Sequence, residues 1–146
     1  MKITFENGTS EWYNSDGTIH RTNGPAAEYA DGTEQWYING KSHRINGPSA
    51  EYADGTKNWF INDIRHNLNG YSFLDVSGFK GRVINDVYHN LNGPAIQYGS
   101  GIKKWYINGI RYSEAEYNRI LKIKPNSRTI YETIQVPKKF PSKSSR

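Results

Sequence analysis

Between Tyr29 and Pro48 the chain reads YADGTEQWYINGKSHRINGP, with apolar and polar positions alternating in short runs punctuated by Asp31-Gly32 and Asn39-Gly40. Both dipeptides accept positive φ at low cost, and residues with extended preferences flank them. The pattern predicts two two-residue hairpin turns around a strand from Thr33 to Ile38. In that register Ala30 faces Thr33, Ala27 faces Trp36, and Trp36 faces His43. Alternation then places Ala27, Tyr29, Trp36, Ile38 and His43 on one face, with Glu28, Thr33, Gln35 and Tyr37 on the other. Pro48 cannot donate to a ladder and marks a strand edge or start.

This stretch is one copy of a repeat. His20, His43, His66 and His89 lie 23 residues apart, and each is followed three residues later by an Asn-Gly pair. Trp36 and Trp59 keep the same spacing, Trp105 lies 46 beyond Trp59, and Arg82 stands at the skipped position. Trp12 precedes Trp36 by 24 residues, which requires one extra residue in the first copy, around Ser15-Asp16-Gly17. Five units start near Phe5, Tyr29, Tyr52, Asp75 and Tyr98, so residues 1–112 are expected to form an elongated array of β-hairpins. Met1–Glu6 supplies a starting edge strand.

The array ends on a different signal. Ser113 and Glu116 have capping-box spacing, and Tyr117, Ile120 and Leu121 recur at helical intervals, so a helix over 113–124 is expected to cover the last strand. Pro125 stops it. Residues 128–136, RTIYETIQV, alternate well enough for an extra strand, either folded back on the sheet or docked on a partner. The last ten residues, 137–146, read as a basic disordered end.

Composition suits a thin sheet. Only 35% of residues are apolar, mean hydropathy is −0.85, and the apolar content is weighted to rings: eleven Tyr, four Trp and five Phe against one Met. Such a balance favours large rings covering one another over a thick aliphatic core. No run approaches the roughly 20 apolar residues of a spanning helix, and the N-terminus lacks a hydrophobic signal region, so a cytoplasmic protein is expected. The net charge of +5 is unevenly placed. Residues 1–118 carry 11 Lys and Arg against 13 Asp and Glu, whereas residues 119–146 carry 8 against one. Attraction to nucleic acid would therefore have to come from the tail.

The repeated histidines invite a metal hypothesis, but geometry opposes it. Equivalent histidines two strands apart stand about 10 Å from one another, too far to converge on one ion. They are expected instead to stack on Trp36 or its equivalents with a ring nitrogen bonded to a loop carbonyl; a surface pH sensor or a contact row is the alternative. The chain has no cysteine, no phosphate loop and no paired carboxylates outside the helix cap, so an enzyme is not expected, nor a cofactor. Rows of Trp and Tyr could stack bases, yet few cations interleave with them.

The fourth copy is the irregular one. Asp75 replaces Tyr, Arg82 replaces Trp, and Tyr71 stands where other copies have Pro, followed by Phe73 and Leu74. Two readings stay open: tolerated drift in a sheet held by its neighbours, or a local notch with exposed apolar residues that a partner occupies. On the second reading the anchors are Tyr71, Phe73, Leu74 and Arg82, with Tyr37 and Tyr106 next.

The unit W-Y-x-N-G-x-x-H-R-x-N-G-P-A-x-x-Y-x-D-G-T, over roughly residues 5–112, resembles MORN-type repeats. It is most similar to the variant repeats of bacterial antitoxin or immunity proteins and of small tailed-phage proteins. The resemblance implies successive hairpins in a curved antiparallel sheet and a non-enzymatic scaffold that binds another protein, as an inhibitor of a host factor, defence system or toxin. The near-neutral array argues against the lipid association of some MORN proteins. A nucleic-acid-binding role through the basic tail is the alternative.

Overall fold

The computed structural model describes residues 1–123, and the strand expected over 128–136 and the basic end lie outside them. The chain is mainly β, with one long open antiparallel sheet and a single helix at the C-terminal end of the described residues. Eleven strands in one ladder span roughly 48 Å at about 4.8 Å per spacing.

The first copy contributes β1 (Lys2–Thr4) and β2 (Ser10–Trp12). The second gives the hairpin β3 (Ala27–Glu28) and β4 (Glu34–Gln35), then a small ribbon of β5 (Tyr37–Ile38) and β6 (Lys41–Ser42). The third repeats this as β7 (Ala50–Glu51), β8 (Lys57–Asn58), β9 (Phe60–Ile61) and β10 (Ile64–Arg65). The fourth supplies β11 (Phe73–Leu74), β12 (Lys80–Gly81), β13 (Val83–Ile84) and β14 (Val87–Tyr88). The last has β15 (Ile96–Gln97), β16 (Lys103–Ile107) and β17 (Ile110–Tyr112). The long sheet runs β1-β2-β3-β4-β7-β8-β11-β12-β15-β16-β17, and the β5-β6, β9-β10 and β13-β14 ribbons are separate two-stranded sheets.

The two turns of each unit differ. Asn39 and Gly40 both have positive φ, so the ribbon turn is the expected two-residue type, and Trp36 does face His43 through a 3.0 Å backbone bond. At Asp31-Gly32 only Gly32 has positive φ, and the Tyr29 N–H bonds the Thr33 carbonyl across a three-residue loop. The Asp31 carboxylate accepts the Thr33 N–H at 2.8 Å, which holds Asp31 at negative φ and leaves the left-handed position to the glycine.

That extra residue corrects the expected register. Ala27 lies opposite Gln35 rather than Trp36, and Glu28 opposite Glu34. A slip of one residue exchanges faces. Tyr29, Gln35 and Tyr37 share a face, where both hydroxyls bond Gln35 Oε1 at 3.2 and 2.9 Å. Trp36 points the other way, under the Arg44 guanidinium at 3.8 Å. In the first copy the ribbon turn is also enlarged: Asn14 N–H bonds the Thr18 carbonyl around Ser15-Asp16-Gly17, where the spacing requires an extra residue.

Successive ribbons stack by a recurring set of bonds. Gly40, Asp63, Asp86 and Gly109 donate backbone N–H to the carbonyls of Ile19, Ser42, Arg65 and Tyr88, at 2.8 to 3.0 Å. The histidines complete each joint. Nδ1 of His20, His66 and His89 accepts the backbone N–H of Asn39, Asn85 and Asn108 at 3.0, 3.2 and 3.1 Å; that of His43 lies 2.9 Å from Asn62 Oδ1. In those three copies the ring nitrogen thus meets a donor on the next copy rather than the loop carbonyl expected.

The array ends on α1 (Glu114–Ile123), capped by Ser113: its hydroxyl oxygen accepts the Glu116 N–H at 3.2 Å, and Glu116 accepts the Ser113 N–H at 2.9 Å. Tyr117, 3% exposed, joins Leu91 and Ile107 in a core against which Trp105, Tyr112, Ile120 and Leu121 pack. The helix thereby covers the apolar surface that a further repeat would otherwise meet.

Candidate functional site

Reading across the long sheet, one row of side chains runs Ala27, Gln35, Ala50, Asn58, Phe73, Gly81. The neighbouring row, on the other face, runs Glu28, Glu34, Glu51, Lys57, Leu74, Lys80. Two of its acids carry ion pairs, Arg21 to Glu28 at 3.0 Å and Arg44 to Glu51 at 2.9 Å, with Lys57 also 3.4 Å from Glu51. The fourth copy breaks both rows. Phe73 stands where two copies have alanine, and Leu74 where they have glutamate.

Gly81 makes the larger ring possible. A Cβ built on it would fall 2.3 Å from Phe73 Cζ and 3.2 Å from the Ala95 carbonyl oxygen, so the ring lies directly over the glycine backbone. Phe79 follows at 5.0 Å between centroids, and Tyr98 stacks on Phe79 at 5.0 Å. Arg65 comes from the ribbon of the third copy and spans Phe60 and Phe73, at 4.5 and 5.2 Å from their centroids. Its Nη1 donates to Asn58 Oδ1 at 2.7 Å and to the Ser72 carbonyl at 3.1 Å.

These groups enclose an open groove of about 310 Å³ lined by Asn58, Arg65, Phe73, Asp75, Phe79 and Tyr88, with Thr56 and Leu74 also bordering it. Burial strips water from the guanidinium and lowers the Arg65 pKa from its usual value. The Asp75 carboxyl is held below its usual range, first by the Ser77 hydroxyl at 2.6 Å and then by the backbone N–H groups of Phe79 and Ser77. Asp75 is committed to closing its turn. Beside it Val76 is 72% exposed at the tip.

The structure divides the six expected anchors. Tyr37, Phe73 and Tyr106 fall on one face by register, and Tyr106 packs on Tyr88 at 5.3 Å beside the groove. Leu74 belongs to the opposite row and meets the groove at its border. Tyr71 lies apart, under Lys80 at 4.7 Å. Arg82 is corrected: it is 8% exposed, with Nη1 on Asn90 Oδ1 and Nη2 on the Leu68 carbonyl, both at 2.9 Å. Its guanidinium ties Asn90 of the fourth copy to the Leu68 loop at the end of the third. Trp12 and Trp36 carry Arg21 and Arg44 over their rings at 3.9 and 3.8 Å, so in the fourth copy the cation has moved into the Trp position itself.

Arg65, Phe79 and Tyr88 are not legible together in the sequence because they come from separate elements: β10, the residue before β12, and β14. The available signal was local: Phe79 and Gly81 are departures from Thr and from Gln or Asn at the same repeat positions. Among the described residues no three His, Asp or Glu side chains converge as a metal site requires, and no helix is long and apolar enough to cross a membrane. No known protein family matches the chain, and no curated protein matches it in sequence.

Proposed function

We propose that the protein is a non-enzymatic repeat scaffold that binds another protein through the ring-lined face of its sheet, centred on the fourth-copy groove. The observation that carries this reading is the coordinated exchange of Ala, Glu and Asn for Phe73, Leu74 and Gly81 at three neighbouring positions of an otherwise regular ladder. Drift alone would place a bulky ring against an unaltered neighbour and strain the sheet. Here the ring and the space for it occur together, and they leave apolar surface around a half-buried cation, the composition of an interface centre. The resemblance to MORN-type immunity and phage proteins supports inhibition of a host factor, defence system or toxin as the use of such a surface.

The test rewrites the fourth copy as the third: Phe73→Ala, Leu74→Glu and Gly81→Asn together. Each substitution installs a residue that the same ladder already holds, so the thermal midpoint should change little. Native chain and triple variant serve as parallel baits, and each captured protein is titrated against both. A partner held about tenfold or more weakly by the variant is expected. Equal affinity for both chains would remove the groove from the interface.

The eight cations against one acid in residues 119–146 favour a second reading, nucleic-acid binding through the tail. Phosphate contacts impose a steep salt dependence, which should vanish on deleting residues 137–146.

A further inference from the structure

The embedded arginines of this sheet are not treated alike. Arg21 and Arg44 each bond a carboxylate, Glu28 and Glu51, on the sheet beside them. The Arg65 guanidinium bonds only neutral acceptors, the Asn58 amide oxygen and the Ser72 carbonyl; the Asp86 carboxylate takes the Arg65 backbone N–H at 2.8 Å instead, and none of the ion pairs among the described residues includes Arg65. A guanidinium presents five donors in a fixed fork. Only Nη1 is occupied by these two bonds, so the fork retains donors for an anion entering from the open side.

What lies beside the cation defines the rest of the ligand. Phe73 and Phe79 form an apolar wall with centroids 5.0 Å apart, and Tyr88 adds a ring with a polar tip. One cation next to one apolar wall matches a single carboxylate next to a single ring or branched aliphatic group. A phosphate dianion fits less well. No second Lys or Arg lines the groove, and the Asp75 carboxylate on its rim repels added negative charge.

We propose that the groove receives an acidic peptide segment, one carboxylate engaging Arg65 while an adjacent aromatic or aliphatic side chain packs on Phe73 and Phe79. The proposal rests on the reading of this face as a protein-binding surface and names the chemistry its partner must present. It also accounts for Asn58: as a neutral acceptor at 2.7 Å it orients the guanidinium without discharging it, where a glutamate or aspartate would have satisfied the site internally.

The experiment needs no natural partner, so its failure is separable from failure of the bait comparison. The ¹⁵N-labelled full chain is titrated with N-acetylphenylalanine, with its uncharged amide, and with uridine monophosphate, following amide and Arg65 Nε shifts. A ligand of this size is expected to bind with roughly millimolar Kd. Shifts should centre on residues 58, 65, 73 and 79, and the amide should bind about fivefold more weakly. Arg65→Gln should remove the difference between acid and amide, and Arg65→Lys should restore part of it. Equal binding of acid and amide to the native chain, absence of shifts from either, or shifts centred elsewhere would each overturn the proposal. Tighter binding of the nucleotide at the same residues would overturn it in favour of nucleic acid.

Discussion

The Phe73 ring sits over the backbone of Gly81, its partner in register, so closely that a Cβ at position 81 would lie 2.3 Å from Cζ. Gly81→Ala should therefore displace the ring or press on the Ala95 carbonyl, lowering stability by about 1–3 kcal/mol. In Phe73→Ala the cost of adding the same methyl should largely disappear. Urea unfolding of the four chains in this cycle measures the coupling. Additive effects would mean that the ring does not occupy the space above the glycine.

Acid should loosen the joint between the third and fourth copies. His66 Nδ1 accepts the Asn85 N–H at 3.2 Å, a role open only to the neutral ring, and burial lowers its pKa from the usual 6.5. The unfolded chain then binds the proton more readily than the folded one. Stability from this group is complete above the unfolded value, and it is lost as pH falls through it toward the lowered folded value. The urea midpoint should accordingly hold steady from about pH 8 to 7 and fall below about pH 6.5, with a shallower fall in His66→Gln. A midpoint that rises on acidification would contradict the joint as described.

Tyr117 fastens the helix to the array. Its hydroxyl donates to the Asn90 carbonyl at 3.0 Å and accepts the Gly93 N–H at 3.1 Å, in a side chain that is 3% exposed. Tyr117→Phe keeps the ring and deletes both bonds, so it should cost about 1–3 kcal/mol and speed exchange of the Gly93 amide selectively. Unchanged Gly93 exchange would show that the hydroxyl does not hold that loop.

Arg82 and Arg65 should separate in experiment. Arg82→Ala removes buried bonds to Asn90 and to the Leu68 carbonyl, and should lower stability by about 2–4 kcal/mol. Arg65→Gln alters a half-buried groove residue and should cost less than half as much. Comparing thermal midpoints of the two variants decides this, and a larger loss at Arg65 would exchange their roles.

Turn and cap chemistry were legible because they are settled within a few residues. Asn39-Gly40 closes a two-residue turn, Ser113 and Glu116 cap α1, and the extra residue in the first copy falls in a turn at Ser15-Asp16-Gly17. The misread turn was also local. Its signal was the recurring Asp-Gly-Thr, in which the carboxylate takes the Thr N–H and adds a residue to the loop. From that one residue followed the wrong face for Trp36, since side chains alternate along a strand.

Sequence by itself determined a five-copy β-hairpin ladder ending in an amphipathic helix, because a period of 23 residues and its turn dipeptides are properties of the chain read in order. Tertiary structure decided which residues meet. Phe73 covers Gly81 across a single hairpin, but Arg65 reaches Phe73 and His66 reaches Asn85 only once the ribbons and strands of successive copies are packed together. Register fixes those encounters, and register is set by backbone pairing between strands whose sequences do not individually specify their neighbours.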